Sequence, residues 1–131
     1  MRQQDLDILQ TILETRGGFG HREHLELVWN YLQIHDVDET HRAVGAAIRH
    51  LASGHGAPDK YHETITRCWV DLVVLHRVAS DAESFDEFIV GNSGLLDRRL
   101  LEPHYSPELL NSPEARARWT EPDLRQLPSA A

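Results

Sequence analysis

Histidine stands out in this chain by number and by spacing, with nine residues in all. Its ordinary pKa near 6.5 lets the side chain serve as metal ligand, proton shuttle or pH switch. Two clusters are denser than the rest. In Phe19-Gly20-His21-Arg22-Glu23-His24-Leu25-Glu26, the histidines stand three residues apart and share one face of a helix, where both can reach a single ion. In Lys60-Tyr61-His62-Glu63-Thr64-Ile65-Thr66, a histidine is joined by a carboxylate and by hydroxyl-bearing side chains.

Residues at i, i+3, i+7, i+10 and i+14 line one helical stripe. Such stripes read His21, His24, Val28, Tyr31, His35; then His41, Val44, Ile48, Leu51, His55; then His62, Ile65, Trp69, Val73, His76. Three helices are therefore expected to carry histidine toward an interior. Metal sites in helical bundles are built in this way, from inward histidines and carboxylates on facing helices. Glu23 directly precedes His24 and Glu63 directly follows His62, unlike the Glu-x-x-His pairs of di-iron bundles. A mononuclear site of His21, His24 and His62, with Glu63 as ligand or base, fits better. With Met1 and Cys68 the sole sulfur residues, nothing favours copper, and zinc, iron, nickel and manganese all stay open.

The same residues support a metal-free chemistry. His62 beside Glu63 is a candidate acid–base pair, with burial lowering its proton affinity and the carboxylate raising it. Tyr61, Thr64 and Thr66 would orient a small polar substrate, and a helix beginning at Lys60 would suit an anionic group. The plainer reading makes His24 and His62 core-edge residues bonded to carbonyls or to Glu26 and Glu63. It leaves His35, His41, His76 and His104 at the surface or as caps, with Trp29, Tyr31 and Trp69 as core aromatics and Cys68 as a small buried residue.

The elements that must position these groups are helical. Leu6, Leu9, Ile12 and Leu13 predict a helix over 5–16, ended by Gly17-Gly18. Leu25, Val28, Trp29 and Leu32 predict a second over 21–35. Asp36-Val37-Asp38-Glu39 reads as a capping box for a third, carrying Val44, Ala47, Ile48 and Leu51 as far as Gly54, with Gly45, Ala46 and Ala47 allowing close approach of a neighbour. Asp59 is the expected N-cap of a fourth over 60–79, and Ser84-Phe85-Asp86-Glu87 opens a short fifth that stops near Gly91-Asn92. A helical turn is expected over 95–101. No window alternates as a strand would. Five of the six prolines lie beyond residue 102, so an arm with short turns at Ser106-Pro107 and Ser112-Pro113 follows. The expectation is an all-α bundle of four to five helices over 1–101, with a Pro-rich arm, 102–131, packed on it in the same domain through Trp119 and Leu109-Leu110, its last residues frayed.

Composition narrows the partners. Thirteen basic against 21 acidic residues leave a net charge of −8, which disfavours nucleic acid and anionic membranes. One cysteine excludes an internal disulfide, and with no signal-like or membrane-spanning stretch the expected home is the cytoplasm. His-Glu-x-x-His, a phosphate-binding glycine loop and a Gly-x-Ser-x-Gly elbow are all lacking.

The run Phe19-Gly20-His21-Arg22-Glu23-His24-Leu25, then Trp29-Asn30-Tyr31-Leu32, His55-Gly56 and Tyr61-His62-Glu63-Thr64-Ile65-Thr66 resembles a group of small bacterial helical proteins of uncharacterised activity. Their pattern is F-x-H-x-x-H-L, H-G and Y-H-E-T-I-T, spanning about residues 19–100 here. The resemblance implies an all-helical fold and points to His24, His62 and Glu63.

Three functional expectations follow. The first is a small cytoplasmic enzyme with a pocket between the second and fourth helices, where His21, His24 and His62 bind a divalent transition metal and the substrate is a small molecule. The second keeps the pocket without the metal, with His62, Glu63 and Tyr61 as catalytic residues of an isomerase or cyclase type. The third is a non-enzymatic interaction or regulatory module that uses the arm and Trp119; homodimerisation stays open in all three.

Overall fold

The computed structural model describes residues 1–129 and is all-α, with no strand among them. Residues 130 and 131, at the end where fraying was expected, lie outside the described part. The chain divides into two compact units, Met1–Tyr61 and His62–Ala131, so the arm expected from residue 102 belongs to the second unit together with the fourth helix.

The first unit holds α1 (Gln3–Arg16), α2 (His21–Leu32) and α3 (Val37–Gly54), each packed against the other two. Helix α1 stops where Gly17 turns left-handed at φ 73° and its N–H bonds to the Leu13 carbonyl, a conformation that costs glycine little. Leu9, Ile12, Leu25, Leu27, Val28, Trp29, Tyr31, Val44 and Ala47 form the core. The Asp36 carboxylate caps α3 by accepting the Glu39 N–H at 2.8 Å, as the sequence predicts. Arg16 binds the largely buried Glu26 with two hydrogen bonds of 3.1 and 3.0 Å, tying the end of α1 to α2.

Helix α2 ends at Leu32 rather than His35. Its last turn relaxes, with the N–H groups of Ile34 and His35 both bonded to the Tyr31 carbonyl, and this swings His35 back against α1. There His35 Nε2 meets Asp5 Oδ1 at 2.7 Å, with side chains only 8% and 5% exposed, and the Tyr31 hydroxyl donates to the Asp5 carbonyl at 2.7 Å. The surface or capping role expected of His35 is corrected accordingly. Gly45 admits a side chain instead of a helix: a Cβ there would lie 3.0 Å from the Tyr61 hydroxyl oxygen.

In the second unit α4 runs Glu63–Val78, followed by α5 (Phe85–Gly91), 3₁₀ turns Ser93–Leu96 and Arg98–Leu101, α6 (Pro107–Leu110) and α7 (Pro113–Ala117). The fourth helix starts three residues later than predicted, because Pro58–Lys60 forms a separate 3₁₀ turn and Tyr61 is extended. Ser84, Ser106 and Ser112 each cap the helix they precede, and proline at the first position of α6 and α7 gives up an N–H that has no helical partner there. Helix α7 packs on α4 with Ala115 wholly buried.

The arm is fastened by hydrogen bonds as well as by packing. Thr64 Oγ1 donates to the Arg118 carbonyl at 2.9 Å and accepts the Thr120 N–H at 3.1 Å. The Tyr105 hydroxyl donates to the Thr120 carbonyl at 2.6 Å, and Asp123 accepts from both the N–H and the hydroxyl of Ser106, at 2.8 and 2.6 Å. No helix of the described residues is long and apolar enough to cross a membrane.

Candidate functional site

His62 is the N-cap of α4, an unusual residue for that place. Its Nδ1 accepts the Ile65 N–H at 3.1 Å, which requires the proton to sit on Nε2, and Nε2–H donates to the Leu110 carbonyl at 2.6 Å. Both ring nitrogens are thus spent inside the second unit, one on the helix end and one on α6. Burial pushes the ring's pKa down, and Arg116 adds to that, while the Leu110 hydrogen bond acts in the opposite sense. A metal ion at His62 would have to displace one of these bonds.

The other groups of that cluster are also committed. Thr66 Oγ1 donates to the His62 carbonyl at 2.7 Å, and Thr64 is occupied by the arm as described. Both hydroxyls hold backbone in place. Tyr61 closes the first unit with the Arg49 guanidinium 5.0 Å from its ring centroid, a cation–π arrangement. Glu63 stands in the first turn of α4, where a carboxylate complements the positive helix end. Lys60 belongs to the preceding 3₁₀ turn, so the anion-binding start expected for α4 is replaced by a cap supplied by the protein itself.

At the start of α2 the situation is reversed. Gly20 serves as N-cap, and its N–H donates to Glu23 Oε1 at 2.9 Å, orienting the first turn that carries His21 and His24. His24 Nε2 is buried and has no hydrogen-bond partner. Burial, reinforced by the neighbouring His21, pushes the His24 pKa down to about 4, so the ring is neutral at pH 7. A neutral imidazole with an unused nitrogen is the form that binds metals or donates and accepts single hydrogen bonds. Among the described residues, no group of three or more His, Cys, Asp or Glu side chains is arranged to hold a metal ion.

The remaining histidines are structural where their bonds are seen. His76 Nδ1 bonds to the Leu72 carbonyl one turn back within α4 at 2.8 Å, and His104 Nδ1 to the Arg125 carbonyl of the arm at 3.0 Å, so neither closes a helix end. Cys68 is buried, donates to the Tyr105 hydroxyl at 3.7 Å, and has its pKa pushed up to about 12 by burial, which removes it as a nucleophile. Sequence reasoning missed the buried Asp5–His35 pair. The only available signal was a histidine closing an apolar stripe, and nothing in the sequence showed that the chain would turn before it. Comparison with protein-family models, with curated proteins and with solved structures finds no match.

Proposed function

We propose that the chain is a small metal-dependent binding protein or enzyme whose centre is the His21–His24 turn of α2, taking a divalent transition metal. One observation carries this reading: the buried Nε2 of His24 lacks any hydrogen-bond partner, and native proteins rarely leave such an atom unpaired without a use for it. A ring held neutral at pH 7 needs no deprotonation before it ligates. Two protein ligands are one fewer than a catalytic zinc site commonly has, so water and substrate would have to complete the coordination. A cytoplasmic setting, read from the single cysteine, accords with such a site.

Calorimetric titration of the full chain with Zn²⁺ and Co²⁺ tests the proposal. One equivalent should bind, with loss of binding in both His21→Ala and His24→Ala and none in His104→Ala. Absence of binding, or binding that survives both variants, overturns it.

A second reading drops the metal and is favoured by the absence, among the described residues, of any group of three or more His, Cys, Asp or Glu side chains placed to hold a metal ion. His24 then offers a neutral ring nitrogen to a small polar substrate as hydrogen-bonding or acid–base group. Chelator-insensitive ligand binding that disappears in His24→Leu separates it from the first.

A further inference from the structure

His62, His76 and His104 are the histidines of the second unit, which the reading above does not use. His76 and His104 each donate a ring N–H to a carbonyl, at 2.8 and 3.0 Å, a bond that a protonated ring keeps. His62 differs because its Nδ1 accepts: the lone pair that takes the Ile65 N–H at 3.1 Å is the one an incoming proton would occupy. The charged ring would then turn a donor toward the donor it had capped, and set a positive charge at the positive end of α4. Its other bond, from Nε2–H to the Leu110 carbonyl at 2.6 Å, survives protonation and is strengthened by the charge. We propose that His62 is an acid-sensitive latch on the C-terminal arm: protonation withdraws the cap, the first turn of α4 opens, and Thr64 in that turn lets go of the arm at Arg118 and Thr120.

The route from ring to arm is short. Thr64 directly follows the first residue of α4, and its hydroxyl donates to the Arg118 carbonyl at 2.9 Å and accepts the Thr120 N–H at 3.1 Å. Trp119 lies between those two contacts, with the Arg67 guanidinium of α4 5.2 Å from its ring centroid. The fastening further along does not depend on the cap. The Tyr105 hydroxyl holds the Thr120 carbonyl, and Asp123, kept below the usual carboxylate range by its Ser106 hydrogen bonds, stays ionised and clasped to Ser106. Opening is therefore local to residues 118–120. Burial lowers the proton affinity of the ring, the Leu110 carbonyl of α6 raises it and Arg116 of α7 lowers it, while Glu63 is the adjacent carboxylate on α4 itself. Because the folded ring has a lowered pKa, the cap is fully in place above about pH 6.5 and is lost as the pH falls through the folded value.

The test is amide hydrogen exchange of the full chain by NMR between about pH 7.5 and about pH 4.5, corrected for intrinsic exchange rates, beside a titration of the His62 ring protons. Protection of the Ile65 and Thr120 amides should fall together by about tenfold, with the midpoint of the ring titration. Leu109, whose N–H is capped by the Ser106 hydroxyl at 3.2 Å, and Val73 within α4 should keep theirs, which separates a local opening from unfolding of the unit. His62→Asn supplies a cap that does not titrate in this range, so it should retain protection of both amides at acid pH, whereas His76→Gln should respond as the wild type does. Thr120 protection that is independent of pH, a loss that does not follow the His62 ring, or an equal loss in His62→Asn would each overturn the proposal.

Discussion

Acidification from about pH 7.5 to about pH 5 should cost this chain about 2 kcal/mol of stability through His24 alone. The ring's pKa falls from 6.5 in the unfolded chain to about 4 in the folded one. Because the folded value is depressed, the unfolded state takes up the proton first. The contribution of neutral His24 is therefore complete above about pH 6.5, declines by up to about 1.4 kcal/mol per unit below it, and is gone near pH 4. Stopping at about pH 5 realises most of the total, about 3 kcal/mol, while ordinary carboxylates remain largely ionised. The assay is urea denaturation followed by far-UV circular dichroism at both pH values, for the wild type and for His24→Leu. The leucine variant cannot take up the proton and also removes the unpaired buried nitrogen, so it should match or exceed the wild type at pH 5 and lose about 2 kcal/mol less on acidification. His62, whose pKa is also lowered, contributes with the same sign in both proteins and cancels. An equal pH dependence in the two proteins, or a His24 pKa near 6.5 by NMR titration of the ring protons, would refute the reasoning.

Four further outcomes follow from the structure. Asp5→Ala should destabilise the first unit by about 2 kcal/mol or more in denaturant melts, because it strands the His35 ring buried at 2.7 Å from its lost partner; an Asp5→Ala/His35→Leu double variant should recover part of that loss. Gly45→Ala gains about 1 kcal/mol of helix propensity but meets the Tyr61 hydroxyl at 3.0 Å, so it should be neutral to destabilising in the wild type and stabilising in a Tyr61→Phe background, as a double-mutant cycle would show. Cys68 should resist thiol reagents at about pH 8 in the native protein and react readily in denaturant, since a thiol titrating at about 12 is about 1 part in 10⁴ thiolate there. Thr64→Val should cost about 1–3 kcal/mol and raise the hydrogen-exchange rate of the Thr120 amide, which donates to the lost hydroxyl.

The helices and their stops were legible because they depend on local chemistry. Apolar spacing placed Leu9, Val28, Trp29, Val44 and Trp69 in cores, Gly17 ended α1, and Asp36 and Ser84 capped α3 and α5, each as read from a few adjacent residues. The end of α2 and the start of α4 were misread for a shared reason. A side chain at each boundary took a role other than that of a helical residue: His35 meets Asp5 of α1, and His62 caps α4 through the Ile65 N–H while bonding to the Leu110 carbonyl. Leu110 is 48 residues from His62, and no spacing rule spans that distance.

The candidate site divides in the same way. The sequence by itself determined that His21 and His24 share one turn of a helix, because the i,i+3 relation is intrinsic to helical geometry. Whether a histidine has a nitrogen to spare is a matter of what the folded chain brings beside it. Only the tertiary structure decided that His62 is consumed as a cap and a clamp, while the Nε2 of a neutral His24 is left buried without a hydrogen-bond partner.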